Sequence, residues 1–264
     1  MGPYNSTYTR VVPVFDALTH SGPSDWLRRL LAMARYGHPA AAVAPDLDST
    51  LTAPLQYGDQ ERPLAPPVAL LRWLCANVTD WSGKGLASSG AAADARRRLI
   101  ARDPETVREA LALLDGPVAD SGWHILEGPS YPDVFAETAN GILVVEGKRT
   151  ERSLTTTTKW MPTRHQMLRH IDAAWEIRGA KRVYGLLIVD EETPSFQSGG
   201  WEADCESTWG DKAVTESLPH RGPVERFNIA RAFVGMTTWQ AIVREMGLAP
   251  DLLARYETVP AHDA

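Results

Sequence analysis

Apolar residues recur at helical spacing through the first hundred residues and again near the end of the chain. One stripe starts at Trp26, after the capping pair Ser24-Asp25, and ends before Gly37. Further helices are predicted over 68–77, 91–101 and 105–114. The last of these follows an aspartate cap and has proline at its first helical position. The pattern therefore predicts a helical N-terminal region over residues 1–102.

After residue 120 the pattern changes to short runs typical of β-strands. These runs are 123–126, 133–138 and 142–148, and Ala139-Asn140-Gly141 separates the last two. Asn-Gly is a strong hairpin signal because both residues tolerate positive φ. Helical spacing returns over 162–177, and an apolar run of the buried-strand type follows over 182–190. This order of elements predicts an α/β core over residues 103–192.

The last part of the chain, residues 193–264, is predicted as a third region that packs on this core. Residues 193–223 are rich in Gly, Ser and Trp and show little periodicity, so we expect a long loop or insertion there. Thr237 and Gln240 have capping-box spacing at the start of a helix, and a short helix is predicted over 251–256.

The hairpin has a consequence for three charged residues. With Asn140 and Gly141 as a two-residue loop, paired residue numbers add up to about 281, and Asp133 faces Lys148. Because side chains alternate, Asp133, Glu146 and Lys148 then project from one face, with the α-carbons of the two acids roughly 7 Å apart. Buried charges are costly unless they are paired or bound to a metal. This trio therefore predicts a metal site or, alternatively, a cross-strand ion pair.

These residues carry a resemblance to a known family. Pro132-Asp133, twelve intervening residues and Glu146-Gly147-Lys148 together resemble the PD-(D/E)xK signature of the restriction-endonuclease-like phosphodiesterases. The resemblance extends over roughly residues 104–190 and implies that family's αβββαβ core. It also implies a magnesium-dependent nuclease in which Asp133 and Glu146 hold the metal and Lys148 assists the attacking water.

The chemistry of the residues agrees with this interpretation. Hydrolysis of a phosphodiester needs a hard divalent cation to stabilise charge on the phosphoryl oxygens and to lower the pKa of bound water. Carboxylate oxygens, with the main-chain carbonyl of Gly147 as a further donor, favour Mg²⁺, with Mn²⁺ as an alternative. We expect Lys148 to orient the water or to balance developing charge.

Other residues are weaker candidates for the same site. Glu127, at the end of the preceding strand-like run, is a candidate second carboxylate ligand for the metal. Gln166 and His170 share a helix face and resemble the Q-x-x-x-Y element of the recombination-exonuclease branch, with histidine in place of tyrosine. Gln166 is thus expected to position substrate. Candidate contacts to nucleic acid are Arg149, Lys159, Arg164, Arg169 and His170.

Charge and composition limit the classes of function. A net charge of −6 argues against non-specific coating of nucleic acid. The segment between positions 141 and 184, however, contains nine basic and only four acidic residues. A positive patch on an acidic body is therefore expected. No apolar run long enough for a membrane span and no signal peptide is evident, so the chain is expected to be cytoplasmic. Cys75 and Cys205 lack the spacing of a zinc site or a disulfide framework.

Three functional hypotheses follow. The first is Mg²⁺-dependent hydrolysis of DNA. The second is a non-catalytic member of the same fold that binds nucleic acid or a protein. The third is an unrelated metal-dependent hydrolase of a small phosphorylated substrate. A homodimer or a protein partner stays open in each case.

Overall fold

A computed structural model describes residues 5–41, 46–79, 90–117, 121–154, 161 and 163–257. Within these ranges the α-helices are α1 (Val12–Ser21), α2 (Trp26–Ala32), α3 (Val68–Asn77), α4 (Ala91–Ile100), α5 (Pro104–Leu113), α6 (Gln166–Ile177), α7 (Pro194–Gln197), α8 (Gly200–Thr208), α9 (Asp211–Ser217), α10 (Pro223–Ala230), α11 (Trp239–Glu245) and α12 (Leu252–Arg255), and a π-helical segment, Thr7–Val11, precedes α1. The strands are β1 (Arg35–Tyr36), β2 (Gln56–Tyr57), β3 (Val134–Glu137), β4 (Gly141–Gly147), β5 (Arg182–Val189) and β6 (Phe233–Thr238). None of these helices has the length and apolar character needed to cross a bilayer.

The strands form one mixed sheet with the order β1-β6-β5-β4-β3-β2. β4 and β5 are parallel, as are β5 and β6, whereas the other three pairings are antiparallel. Parallel neighbours require a crossover connection, and α6 supplies the one between β4 and β5. The fold is a mixture of helices and sheet, which confirms the predicted α/β class at this level.

Helices cover both faces of the sheet. Buried residues of α1, α2, α11 and α12 pack against one face, while those of α6 and α8–α10 pack against the other. This two-sided burial explains why β4 and β5 are almost continuously apolar. A separate apolar cluster joins α3, α4 and α5.

The β3–β4 hairpin forms, but its register differs from the prediction. Phe135 pairs with Val144, so paired residue numbers add up to 279 rather than 281. The turn residues are Ala139 and Asn140. The side chain of Asn140 stabilises this turn, since its Oδ1 accepts from the amide of Asp48 and from the Thr138 hydroxyl, and its Nδ2 donates to the carbonyl of Asp46. A change of two in the sum keeps every side chain on its predicted face.

The prediction of a strand over residues 123–126 is wrong. Residues 123–126 form no strand, since Ile125 and Leu126 pack into the α3–α5 cluster and Arg96 donates to the carbonyl of Trp123 at 3.1 Å. The strand beside β3 is instead β2, from the N-terminal region.

The predicted loop over 193–223 is also wrong, because α7, α8 and α9 occupy most of it. Its tryptophans anchor these helices to the sheet: Trp201 and Trp209 are buried, and Trp209 stacks on Phe233 with ring centroids 4.3 Å apart. The cap of α11 is Thr238 rather than Thr237, since the Thr238 hydroxyl accepts from the amide of Ala241.

Candidate active site

The three residues of the signature lie together on the sheet face that α6 covers. Asp133 immediately precedes β3, Glu146 is near the end of β4, and Lys148 follows β4 directly. Gln166, the first residue of α6, and His170, one turn later, approach them from the helix. Their i, i+4 spacing places both on one side of α6, as predicted.

Glu146 is at the centre of these contacts. Its carboxylate is 2% exposed, Oε1 lies 2.7 Å from Lys148 Nζ, and Oε2 lies 2.9 Å from His170 Nε2. Burial raises the pKa of Glu146, but the hydrogen bond from His170 and the charge of Lys148 outweigh it, and the net pKa is lowered. Glu146 is therefore ionised. Lys148 Nζ also donates to Gln166 Oε1 at 3.3 Å, so the ammonium is held between strand and helix.

Asp133 has a different environment. Its Oδ2 accepts from the amide of Gly147 at 2.7 Å, and burial, followed by the charge of Glu146, raises its pKa well above the usual range. The Gly147 amide and the charge of Lys148 act in the opposite direction but do not compensate. Within the described part of the chain, Asp133 thus has less compensation for burial than Glu146 has.

A third carboxylate, Glu61, belongs to this region and was not singled out by the sequence pattern. It follows a short 3₁₀ turn over Gly58–Gln60 and is half-buried. Burial, then the charges of Glu146 and Asp59, raises the pKa of Glu61, and Glu61 in turn raises that of Asp133. No local signal identifies Glu61, because a pairing distant in the sequence brings the neighbouring β2 strand to β3.

The glycine of the Glu-Gly-Lys sequence is required by packing on the opposite face. A Cβ at Gly147 would lie 2.7 Å from Trp239 Cζ2 and 3.1 Å from Val11 Cγ2. Trp239 is fully buried, and its indole Nε1 donates to the carbonyl of Lys148 at 3.0 Å. The indole therefore holds the end of β4 from one face of the sheet, and the charged side chains meet on the other face.

Glu127 and Arg164 have roles other than those predicted. The Glu127 carboxylate accepts from Nε and Nη2 of Arg164, each at 2.9 Å. Arg164 is completely buried and also pairs with Asp172 at 2.9 Å. Because Arg164 already neutralises Glu127 and is itself buried, the structure places Glu127 in an ion pair and not at the metal site, and Arg164 where no phosphate can contact it.

The remaining predicted contacts to nucleic acid are mostly buried. His170 lies against Glu146 with no exposed side-chain surface, so it has no surface with which to contact nucleic acid. Arg169 donates to the carbonyl of Gly128 at 3.3 Å, and its side chain is 14% exposed. Arg149 is largely buried beside Lys148. Lys159 lies outside the described residues.

The donor chemistry fits a hard divalent cation. Among the described residues no three His, Cys, Asp or Glu side chains already surround a common point as metal ligands. The oxygens available are the carboxylates of Asp133 and Glu146 and the carbonyl of Gly147, which are donors that Mg²⁺ prefers. The two carboxylates interact electrostatically, and the charge of Lys148 lowers the pKa of Asp133 by less than burial and the charge of Glu146 raise it. Comparison with known families, curated proteins and solved structures gives no significant match for this chain.

Proposed function

We propose that this protein is a Mg²⁺-dependent nuclease that hydrolyses DNA phosphodiester bonds, with a restriction-endonuclease-like core. The observation that carries the proposal is the convergence of Asp133, Glu146 and Lys148 on one face of the β3–β4 hairpin. A register shift of a single residue would have separated them. Their order and spacing in the chain are those of the signature that the sequence resembles.

The surrounding elements support the same core. β2, β3 and β4 form an antiparallel meander, α6 crosses over, and β5 returns parallel to β4. One departure is that the first strand of the meander comes from residues 56–57 and not from the segment just before β3. In this proposal α6 has two roles, because it connects the strands and presents Gln166 and His170 to the site.

Each residue has a separate role in the proposed reaction. Asp133, Glu146 and the Gly147 carbonyl would hold the metal, and bound Mg²⁺ supplies charge stabilisation for the phosphoryl oxygens and a more acidic water. Burial lowers the pKa of Lys148, but the Glu146 carboxylate raises it by more, so the net pKa is above its usual value. Lys148 therefore stays protonated and acts as a hydrogen-bond donor and positive charge, not as a base. Gln166 fixes its position.

Replacement of Asp133 tests the proposal. Purified protein is incubated with supercoiled, linear and single-stranded DNA in the presence of Mg²⁺ or Mn²⁺, and Asp133→Asn is compared with the wild type. Asn keeps an oxygen for the Gly147 amide but removes the charge, so we expect cleavage to fall by on the order of a thousandfold. Glu105→Gln, at an exposed position on α5, is the matched control and should cleave normally. Equal cleavage by Asp133→Asn would refute the assignment.

One observation favours a second candidate, a non-catalytic nucleic-acid-binding member of the same fold. Both oxygens of Glu146 already have partners within the protein. Salt-sensitive binding of DNA without cleavage, in both the wild type and Asp133→Asn, would support this candidate instead.

A further inference from the structure

The basic excess of residues 141–184 separates into two groups in the structure. Lys148, Arg164 and Arg169 lie among buried partners near the candidate active site. A second group lies at the other end of α6, where Arg178, Lys181 and Arg182 join Arg231 around a cavity of ≈ 510 Å³. The C-terminal end of α6, the start of β5, and the end of α10 with the residues after it form its walls, and none of the described residues that line it is acidic.

Two of the four positive charges have no carboxylate partner. Arg178 stacks on the ring of Trp175, 3.7 Å from its centroid, and donates to the carbonyl of Trp175 at 3.0 Å. Within the described parts of the chain, neither Arg178 nor Arg231 forms an ion pair. Carboxylates outside the lining compensate the other two charges.

Lys181 pairs with Glu137 at 2.6 Å, and Arg182 lies 3.9 Å from the exposed Asp46. A cavity wall with two guanidinium groups that no described carboxylate neutralises, on a chain of net charge −6, favours the binding of an anion.

We propose that this cavity binds a phosphorylated small molecule of about nucleotide size through Arg178 and Arg231. Its volume lies in the range of about 300–1,000 Å³ that is usual for small-molecule sites. Guanidinium groups match phosphate oxygens in planar, paired hydrogen bonds. The Trp175 ring adds an aromatic wall. A concave site of this size favours a small ligand over the backbone of a duplex.

The cavity is separate from the candidate active site. Arg182 pairs with Gly141 and Leu187 pairs with Glu146, so the two places are five residue steps apart along the strands. At about 3.3 Å per residue this is roughly 16 Å. The proposal therefore does not depend on the nuclease activity, and its test requires no cleavage.

Calorimetric titration of the full chain tests the proposal. The probes are deoxyadenosine 5′-monophosphate, inorganic pyrophosphate, deoxyadenosine and a 12-base-pair duplex, all with EDTA present so that metal-dependent binding elsewhere does not contribute. We expect the two phosphorylated small probes to bind and deoxyadenosine not to bind. Arg178→Gln/Arg231→Gln should weaken that binding at least about tenfold. Arg108→Gln, an exposed arginine on α5, is the control and should bind as the wild type does.

Three results would overturn the proposal. In the first, the double variant binds the phosphorylated probes as tightly as the wild type. In the second, only the duplex binds and the double variant weakens it, so the cavity wall is part of a DNA-contacting surface. In the third, no probe binds and the double variant only melts at lower temperature, so the arginines complement the carboxyl end of α6. Arg231→Gln alone, at an exposed position, keeps the test interpretable if the double variant folds poorly.

Discussion

Two groups of charges lie against different sides of α6, and they differ in how far their charges are balanced. The first is the candidate active site, where Glu146 meets Lys148 and His170 while Asp133 and Glu61 add further negative charge. The second is centred on Asp172, two residues after His170 and therefore about 200° around the helix.

In the second group every buried acid has a guanidinium partner. Asp172 pairs with Arg164 and Arg221, each at 2.9 Å, and Arg164 also holds Glu127. Burial raises the pKa of Asp172, but Arg164, His220 and Arg221 outweigh it and hold that pKa far below its usual range. This group joins the segment before β3 to α6 and to the residues preceding α10.

The contrast between Asp133, which is partly buried, and Asp172, which is completely buried, is informative because their pKa values move in opposite directions. Burial raises the pKa of both carboxyl groups, and only at Asp172 do the described counter-charges outweigh it. A balanced group of buried charges is expected to serve the fold, whereas the less compensated carboxyl of Asp133 belongs to the proposed metal site. The two groups therefore predict different results when a charge is removed.

The largest effect is expected for Lys148→Ala, because it removes the donor and positive charge of the candidate active site. DNA cleavage should fall by on the order of a thousandfold, measured with the substrate that the wild type cleaves. The rise in melting temperature on addition of Mg²⁺ should persist, since the ligand oxygens remain. Lys212→Ala, at an exposed lysine on α9, should leave both measurements unchanged. Undiminished cleavage by Lys148→Ala would remove Lys148 from the mechanism.

The next effect concerns the balanced group. Asp172→Asn leaves Arg164 and Arg221 buried without their shared carboxylate, and we expect the free energy of unfolding to fall by about 3–5 kcal/mol. Urea denaturation followed by circular dichroism measures this loss. Glu176→Gln removes the half-exposed partner of the same Arg221 and should cost less than about 1 kcal/mol. Similar losses for the two variants would show that the balance around Asp172 does not hold the fold.

The smallest effect tests the residue between the two groups. His165 is fully buried, its Nδ1 accepts from the amide of Leu168, and burial, followed by the charges of Arg164 and His170, lowers its pKa to about 3. The unfolded chain takes up this proton near pH ~6.5. Because the folded pKa is the lower one, stability contributed by neutral His165 is present above that pH and is lost as pH falls towards 3.

His165→Asn retains a capping acceptor but does not titrate. Protonation of His165 should lower the free energy of unfolding of the wild type by about 3 kcal/mol between pH 7 and pH 4. The variant should lose less stability over the same range. Unfolding midpoints measured across this pH range give the comparison, with His20→Asn at an exposed site as the control. Parallel pH profiles for wild type and His165→Asn would contradict the assignment.

Much of the site was predictable because its signals are local. Alternation along β3 and β4 places Asp133, Glu146 and Lys148 on one face, and this survives the error in the turn, because a register change of two preserves the parity. Helical spacing and the Asp103 cap likewise predict α5. The charged partners of each residue were harder to predict from the sequence, since E-x-K alone does not distinguish a solvated pair from a buried one.

Long-range packing accounts for the errors. The two-residue strands β1 and β2 have no periodicity of their own, and they exist because β6 and β3 offer them free edges. Residues 123–126 have strand-like composition, yet Arg96 and the α3–α5 cluster provide their hydrogen bonds and their burial. The tryptophans of α8 and its C-cap explain in the same way why a segment without periodicity becomes helical.

By itself the sequence determined the elements that depend on neighbours a few residues away: the hairpin, most helices, and the shared face of three charged side chains. The tertiary structure alone decided which charges are compensated, since Glu61 reaches Asp133 and Arg164 reaches Glu127 through contacts between distant segments. Local conformational preference acts over one or two turns of chain. The electrostatic balance of a buried group depends on every segment that folding brings around it.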